Sequence, residues 1–169
     1  PKARISWSIN TLDEAFKSDM DNAVSIERRL AAMETFYRAG IRTTCFVSPI
    51  FPGITDVEAI IQRVKKYCHL IWLENLNLRG SYKAVIMDYI KNTRPHLLPL
   101  YQEIYYNGNQ TYWEMLDKKL QVYAHEIGLD YLTNDDSIQR PFDAPAVIVN
   151  YFYHEKIKKS ARKGGENHA

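Results

Sequence analysis

The sequence is short of the features that usually announce a function. Only two cysteines, Cys45 and Cys68, occur in 169 residues; they are too few for a disulfide scaffold and do not stand at zinc-ligand spacing. No apolar run approaches the roughly 20 residues of a membrane helix, and no signal-peptide pattern opens the chain, so a reducing cytoplasm is the expected setting. An excess of one charge is missing too. Lys and Arg number 22 against 20 for Asp and Glu, a net +2, which gives nucleic-acid binding little electrostatic footing. Neither GxGxxG nor GxxxxGK[ST] is present, which excludes the commonest phosphate cradles. GxSxG and HExxH are absent as well. The histidines, His69, His96, His125, His154 and His168, fall in helix, loop or tail contexts, which argues against a metal site or a triad built on them.

What is present is enough for a core. Hydrophobic residues make up 46% and charged residues 25%, the balance of a single folded domain. Residues 1–155 are expected to form that domain, and the basic, Gly-containing stretch 156–169 a frayed tail. The chain begins Pro-Lys-Ala-Arg-Ile without an initiating Met and enters a strand-like run at once, which suggests a portion of a longer protein.

Ala3 to Ile9 alternates in strand fashion, and Asn10 to Asn22 reads as polar and irregular. Ser25 caps a predicted helix through Ala39, with Ile26, Leu30, Met33, Phe36 and Tyr37 on one face and Gly40 as the stop. Ile41 to Val47 is β-branched and apolar, a second strand. After the loop from Ser48 to Gly53, Thr55 and Glu58 have the form of a capping box for a helix from Asp56 to Tyr67. Leu70 to Leu76 is the third strand, and Ser81 opens a helix that Pro95 closes. Two further helices follow, Leu97 to Tyr106 and Thr111 to Ile127, and then a short strand from Leu129 to Thr133. This alternation predicts βαβ units on a parallel sheet, whose C-terminal strand ends are where ligand-binding groups collect.

Those ends carry Ser8, Asn10, Ser48, Glu74, Asn75 and Asn77. Hydroxyls and amides there suit hydrogen bonding to a small polar ligand, although each can equally cap a strand or the next helix. Ser48-Pro49-Ile50 would set backbone groups beside apolar side chains, which suits a flat heterocycle. Glu27 complements the dipole of its helix. Arg29 does not, so its planar fork is expected to hold a carboxylate, whether a ligand's or that of a surface ion pair.

Taken together, ISWSINTLDE, SIERRLAAMETFYRAGIRTTCFVSPIFPGITD and LIWLENLNLRG resemble the C-terminal half of a radical SAM protein of the spore photoproduct lyase-like branch. The shared order is a strand ending Ser8-x-Asn10, an acidic loop, and a helix start with Ser25, Glu27, Arg29 and Leu30. An Ala39-Gly40 turn follows, and then a strand running into Pro49-Ile50. The resemblance spans Ile5 to Gly80. It implies a partial TIM-like (βα) barrel with C-terminal helices, and S-adenosylmethionine as cofactor. It places Ser8 and Asn10 at the ribose or methionine, Arg29 near the methionine carboxylate, and Ser48, Pro49 and Ile50 against adenine. Glu74 and Asn77 would line the substrate or cofactor pocket.

In the family a CxxxCxxC loop holds a [4Fe–4S] cluster through three thiolates. This chain lacks that spacing, and Cys45 and Cys68 read as buried apolar residues. The resemblance therefore implies a fragment that is inactive alone, with the cluster and its ligands in a missing N-terminal half of the barrel. It names no catalytic residue and no metal ligand in this chain. An isolated half-barrel leaves strand edges unpaired, which predicts a homodimer through an exposed edge or aggregation.

Two other classes compete. A nucleic-acid module would use Tyr101, Tyr105, Tyr106, Tyr112 and Trp113 for base stacking, with Lys156, Lys158, Lys159, Arg162 and Lys163 supplying charge. A self-sufficient α/β domain would bind a nucleotide or sugar without a cluster.

Overall fold

A computed structural model describes residues 3–152 of the chain. Five strands form one sheet: β1 (Arg4–Ser8), β2 (Arg42–Ile50), β3 (Leu70–Asn75), β4 (Asp130–Leu132) and β5 (Val147–Asn150). All neighbours are parallel, in the order β1-β2-β3-β5-β4. The chain is therefore α/β with strands and helices alternating, as the sequence predicts. The last two strands depart from simple succession, because β5 lies between β3 and β4.

The helices are α1 (Glu14–Met20), α2 (Ile26–Arg38), α3 (Val57–Val64), α4 (Gly80–Thr93), α5 (Leu98–Tyr105) and α6 (Thr111–Glu126). Ser25 caps α2 as expected, its hydroxyl accepting the Arg28 N–H at 3.4 Å, and Gly40 takes the left-handed φ of 76° after the last turn. The expected capping box at Thr55 does not form. Asp56 is the cap of α3, accepting the Ala59 N–H at 3.0 Å, while the Thr55 hydroxyl accepts the Phe51 N–H at 2.9 Å. The expectation that Asn10 to Asn22 is irregular also fails, since α1 lies inside it. Asp13 starts this helix by accepting from Ala15 and Phe16, and Phe16 anchors it edge-on to Phe51, ring centroids 5.1 Å apart. Phe16 and Met20 are the only large apolar residues of α1 and both meet the same core, a single i, i+4 pair too short to show a helical period. The second strand also runs to Ile50, beyond the expected end at Val47.

Side chains alternate across each strand, so the two faces of the sheet differ. One face carries Cys45, Val47, Ile71, Leu73 and Ile148, packed under Leu30 and Met33 of α2, Ile60 and Ile61 of α3, and Trp113 and Leu120 of α6. The other carries Ser6, Ser8, Phe46, Ser48, Trp72 and Glu74. Among the described residues its apolar cluster is Leu70, Val147 and Val149 with Trp72 and Leu132, and Tyr151, just past β5, stacks on Trp72 with ring centroids 4.6 Å apart. Toward β1 and β2 this second face is open, with Ser6 and Ser8 exposed and Phe46 and Trp72 half-buried.

A second core sits above the C-terminal strand ends. Phe16 of α1, Ile86 and Ile90 of α4, and Tyr101 of α5 close around Phe51, Leu76 and Leu78. Thus α1, α4 and α5 cap the end of the sheet, while α6 takes the flank position beside β4. Gly53, in the loop beneath the cap, has φ 70°, and a Cβ there would lie 2.8 Å from Leu97 Cδ2. Glycine suits the turn and makes room for the close approach. No helix among the described residues is long and apolar enough to cross a membrane. The expected tail, 156–169, lies outside the described residues.

Candidate functional site

Between the cap and the ends of β1 and β2 lies a cleft of about 240 Å³, lined by Ser8, Asn10, Met20, Asp21, Arg29, Ser48, Pro49, Phe51 and Tyr82. Five residues singled out from the sequence thus meet in one place: Ser8, Asn10, Arg29, Ser48 and Pro49. Ser8 stands opposite Phe46, and Phe46 opposite Trp72, so alternation carries Ser8, Ser48 and Glu74 to the open face. Among the described residues neither the Ser8 hydroxyl nor the Asn10 amide makes a hydrogen bond, which leaves both available to a ligand.

Arg29 finds a carboxylate, and it is the chain's own. Its guanidinium binds Asp21 at 3.1 and 3.3 Å, the Ser8 carbonyl at 3.0 Å and the Val24 carbonyl at 3.0 Å. The side chain is only 11% exposed. Lys17, also buried, donates to the Ala23 carbonyl and lies 3.4 Å from Asp21. Two cations thus clamp the 21–25 turn onto the end of β1. Partial burial raises the Asp21 pKa, but the Ala23 N–H, Arg29 and Lys17 outweigh it and hold the carboxyl below its ordinary range.

The remaining predicted residues divide. Ile50 is fully buried in the helix-backed core, and its carbonyl accepts the Leu76 N–H at 3.1 Å. The pairing register shifts between Val47 and Ile50, and the side chain ends up away from the cleft. Glu74 does not line the cleft directly; its Oε2 accepts the Ser48 hydroxyl at 2.9 Å. Asn77 is exposed outside it, its Oδ1 accepting Arg79 Nε at 3.4 Å.

Met20, Asp21, Phe51 and Tyr82 are lining residues that the sequence did not single out. Met20 and Asp21 lie in the stretch read as irregular, and Tyr82 sits on a helix that gave no sign of turning toward β1. The acidic character of the 13–21 segment was the one available signal for Asp21.

The cysteines lie elsewhere. Both are free and buried, and Cys68 donates to the Leu70 carbonyl at 2.8 Å. Burial pushes the Cys45 thiol well above its ordinary value and Cys68 up to about 12. Buried thiols held protonated do not fit an iron–sulfur cluster, which is ligated by thiolates. No group of three or more His, Cys, Asp or Glu among the described residues suits a metal ion.

His69 is structural. Its Nδ1 accepts the Thr43 N–H at 3.1 Å, which leaves Nε2 to donate to the Phe142 carbonyl at 3.0 Å. Its ring packs against Tyr37 and Phe142, centroids 5.0 and 4.5 Å away, in a cluster where those two rings also meet at 5.3 Å. The aromatic group weighed for base stacking is largely interior: Tyr101 and Trp113 are buried in the two cores, and Tyr106 is exposed beside Lys83.

No family model matches the chain, and no solved structure matches it significantly. Over 78 residues, 46% of its length, the chain is 36% identical to an uncharacterized protein of Methanocaldococcus jannaschii. The matched stretch spans 30% of that relative's length.

Proposed function

We propose that the chain is the C-terminal portion of a radical S-adenosylmethionine enzyme and forms the cofactor and substrate side of a partial TIM-like barrel. The observation that carries this reading is the convergence of Ser8, Asn10 and Ser48 at the strand ends, with the side chains of Ser8 and Asn10 free of hydrogen-bond partners among the described residues. The open sheet face beside them supports it, since an inward-facing barrel wall is where Phe46 and Trp72 would be covered by further strands. That covering is assigned to an N-terminal half carrying the cluster ligands, in a cytoplasmic protein. Pairing between two copies along β1 is the alternative cover.

The cleft is smaller than the ~300–1,000 Å³ usual for a whole ligand of this size. It would hold one end of S-adenosylmethionine, with the rest lying along the open face. Ser8 and Asn10 would bind and orient that end. Arg29 would act through its clamp on the Ser8 carbonyl, because a ligand carboxylate reaching its fork must first displace Asp21. S-adenosylmethionine supplies a sulfonium that an electron donor can cleave. The two cysteines do not fit that donor, and no radical step is assigned to this chain.

Titration calorimetry of the chain with S-adenosylmethionine, with ATP as control, tests this. Weak saturable binding of S-adenosylmethionine, reduced about tenfold or more when Ser8 and Asn10 are both replaced by Ala, is expected from two lost hydrogen bonds. Equal binding of ATP, or indifference to those substitutions, overturns it.

A second reading, a binding module without radical chemistry, is favoured by the two cores and the clamped 21–25 turn, which are complete within the described residues. A single sharp thermal transition of the chain by itself, with no gain on adding S-adenosylmethionine, would support that reading.

A further inference from the structure

Glu74 is the unusual group beside the cleft. It is half-buried on the open sheet face next to Trp72, and no cation pairs with it among the described residues. Its one hydrogen bond there is the 2.9 Å contact from Ser48. A carboxylate so placed gives up some hydration for a single hydroxyl, which is a poor exchange for stability alone.

The chemistry of that contact has a direction. A serine hydroxyl has one hydrogen and two lone pairs, whereas a carboxylate only accepts. With its hydrogen committed to Glu74, Ser48 presents only lone pairs to the cleft. The Asp21 carboxylate nearby is likewise an acceptor, and Arg29 directs its donors at Asp21, Ser8 and Val24. The wall formed by Ser48 and Asp21 is therefore rich in acceptors.

We infer that Glu74 is a positioning residue that fixes Ser48 as a hydrogen-bond acceptor, so that the cleft selects a ligand presenting a hydroxyl or amine donor at that point. Glu74 acts through Ser48 and does not itself touch the ligand. This rests on the reading of the cleft as a S-adenosylmethionine site.

The test is a double-mutant cycle on the dissociation constant for S-adenosylmethionine, with circular dichroism confirming that each variant is folded. Ser48→Ala is expected to weaken binding about tenfold and Glu74→Ala about as much, each the size of one hydrogen bond. The double variant is expected to match Ser48→Ala, because the Glu74 effect passes entirely through Ser48. Glu74→Gln, whose amide oxygen still accepts the serine hydrogen, is expected to stay within about twofold of the parent chain. Additive losses in the double variant, no loss in Glu74→Ala, or a Glu74→Gln loss as large as that of Glu74→Ala would each overturn the inference and leave the cofactor reading standing. A parent chain that does not bind S-adenosylmethionine would overturn both.

Discussion

The two faces of the sheet are built from alternate residues of the same strands, yet they answer to different demands. On the helix-backed face, Cys45, Val47, Ile71, Leu73 and Ile148 are completely buried. On the other, Ser6 and Ser8 are exposed, Phe46 and Trp72 half-buried, and Glu74 is kept beside Ser48. The first is the composition that close packing selects. The second mixes hydroxyls, a carboxylate bonded to a serine and large aromatics, which packing alone does not explain. One face holds the chain together, and the other carries the groups on which the proposed function rests.

Substitutions one residue apart sharpen this contrast most. Ile71→Ala should cost about 2–5 kcal/mol in urea unfolding, since it opens a void beneath α3 and α6. Trp72→Ala, although it removes a larger side chain, should cost less, about 1–3 kcal/mol, because the ring, packed on Tyr151 and Phe46, keeps part of its surface in water. Equal costs would mean that both faces are core.

The clamp at the end of β1 comes next. Arg29→Ala leaves the Ser8 and Val24 carbonyls without their charged donor and should cost about 2–3 kcal/mol. Amide exchange in residues 21–25 should rise with it. Unchanged exchange would show that α1 and Lys17 hold the turn without help.

His69 offers a smaller, pH-dependent effect at the opposite end of the sheet. Burial, followed by the Arg42 charge, holds its pKa below the ordinary 6.5 despite its contacts with Phe142 and Thr43. Over that interval the unfolded chain binds more protons than the folded one. Its contribution is thus present above pH 6.5 and is lost as pH falls below it toward the folded pKa. The urea midpoint should drop between pH 7.5 and pH 5.5, and less so in His69→Gln. A midpoint that rises on acidification would contradict a folded-state His69 held below its ordinary pKa. Smallest of all, Ser6→Ala on the open face should shift stability by no more than about 0.5 kcal/mol.

How far the sequence could be read depended on the reach of each signal. The helix from Ile26 to Arg38 was legible because Ser25, Gly40 and the spacing of Ile26, Leu30 and Met33 all point to one answer within a dozen residues. The parallel alternation was legible for the same reason, and with it the rim where Ser8, Asn10 and Ser48 meet. Helix α1 was not, because its anchor partner, Phe51, is remote in sequence. Strand β5 does have a local signal, since Ala146 to Phe152 reads AVIVNYF, a β-branched and aromatic run, but its place between β3 and β4 has none. The partners of Arg29 and Ser48 depend on how loops fold back and strands align. Arg29 could be seen to want a carboxylate, but not that Asp21 supplies it. Glu74 and Ser48 lie 26 residues apart, and only the β2–β3 alignment makes them neighbours.

The out-of-order placement of β5 bears on how the sheet is assembled in time. Among the described residues strand β4 pairs with no strand but β5, so the chain makes residues 130–132 well before that partner exists. The inner position beside β3 must stay vacant until Val147–Asn150 arrives. Made from its N-terminus, the protein can zip β1, β2 and β3 as they emerge. The pairing of β3 with β4 through β5 waits for Val147–Asn150, a long-range step that helices formed earlier cannot replace.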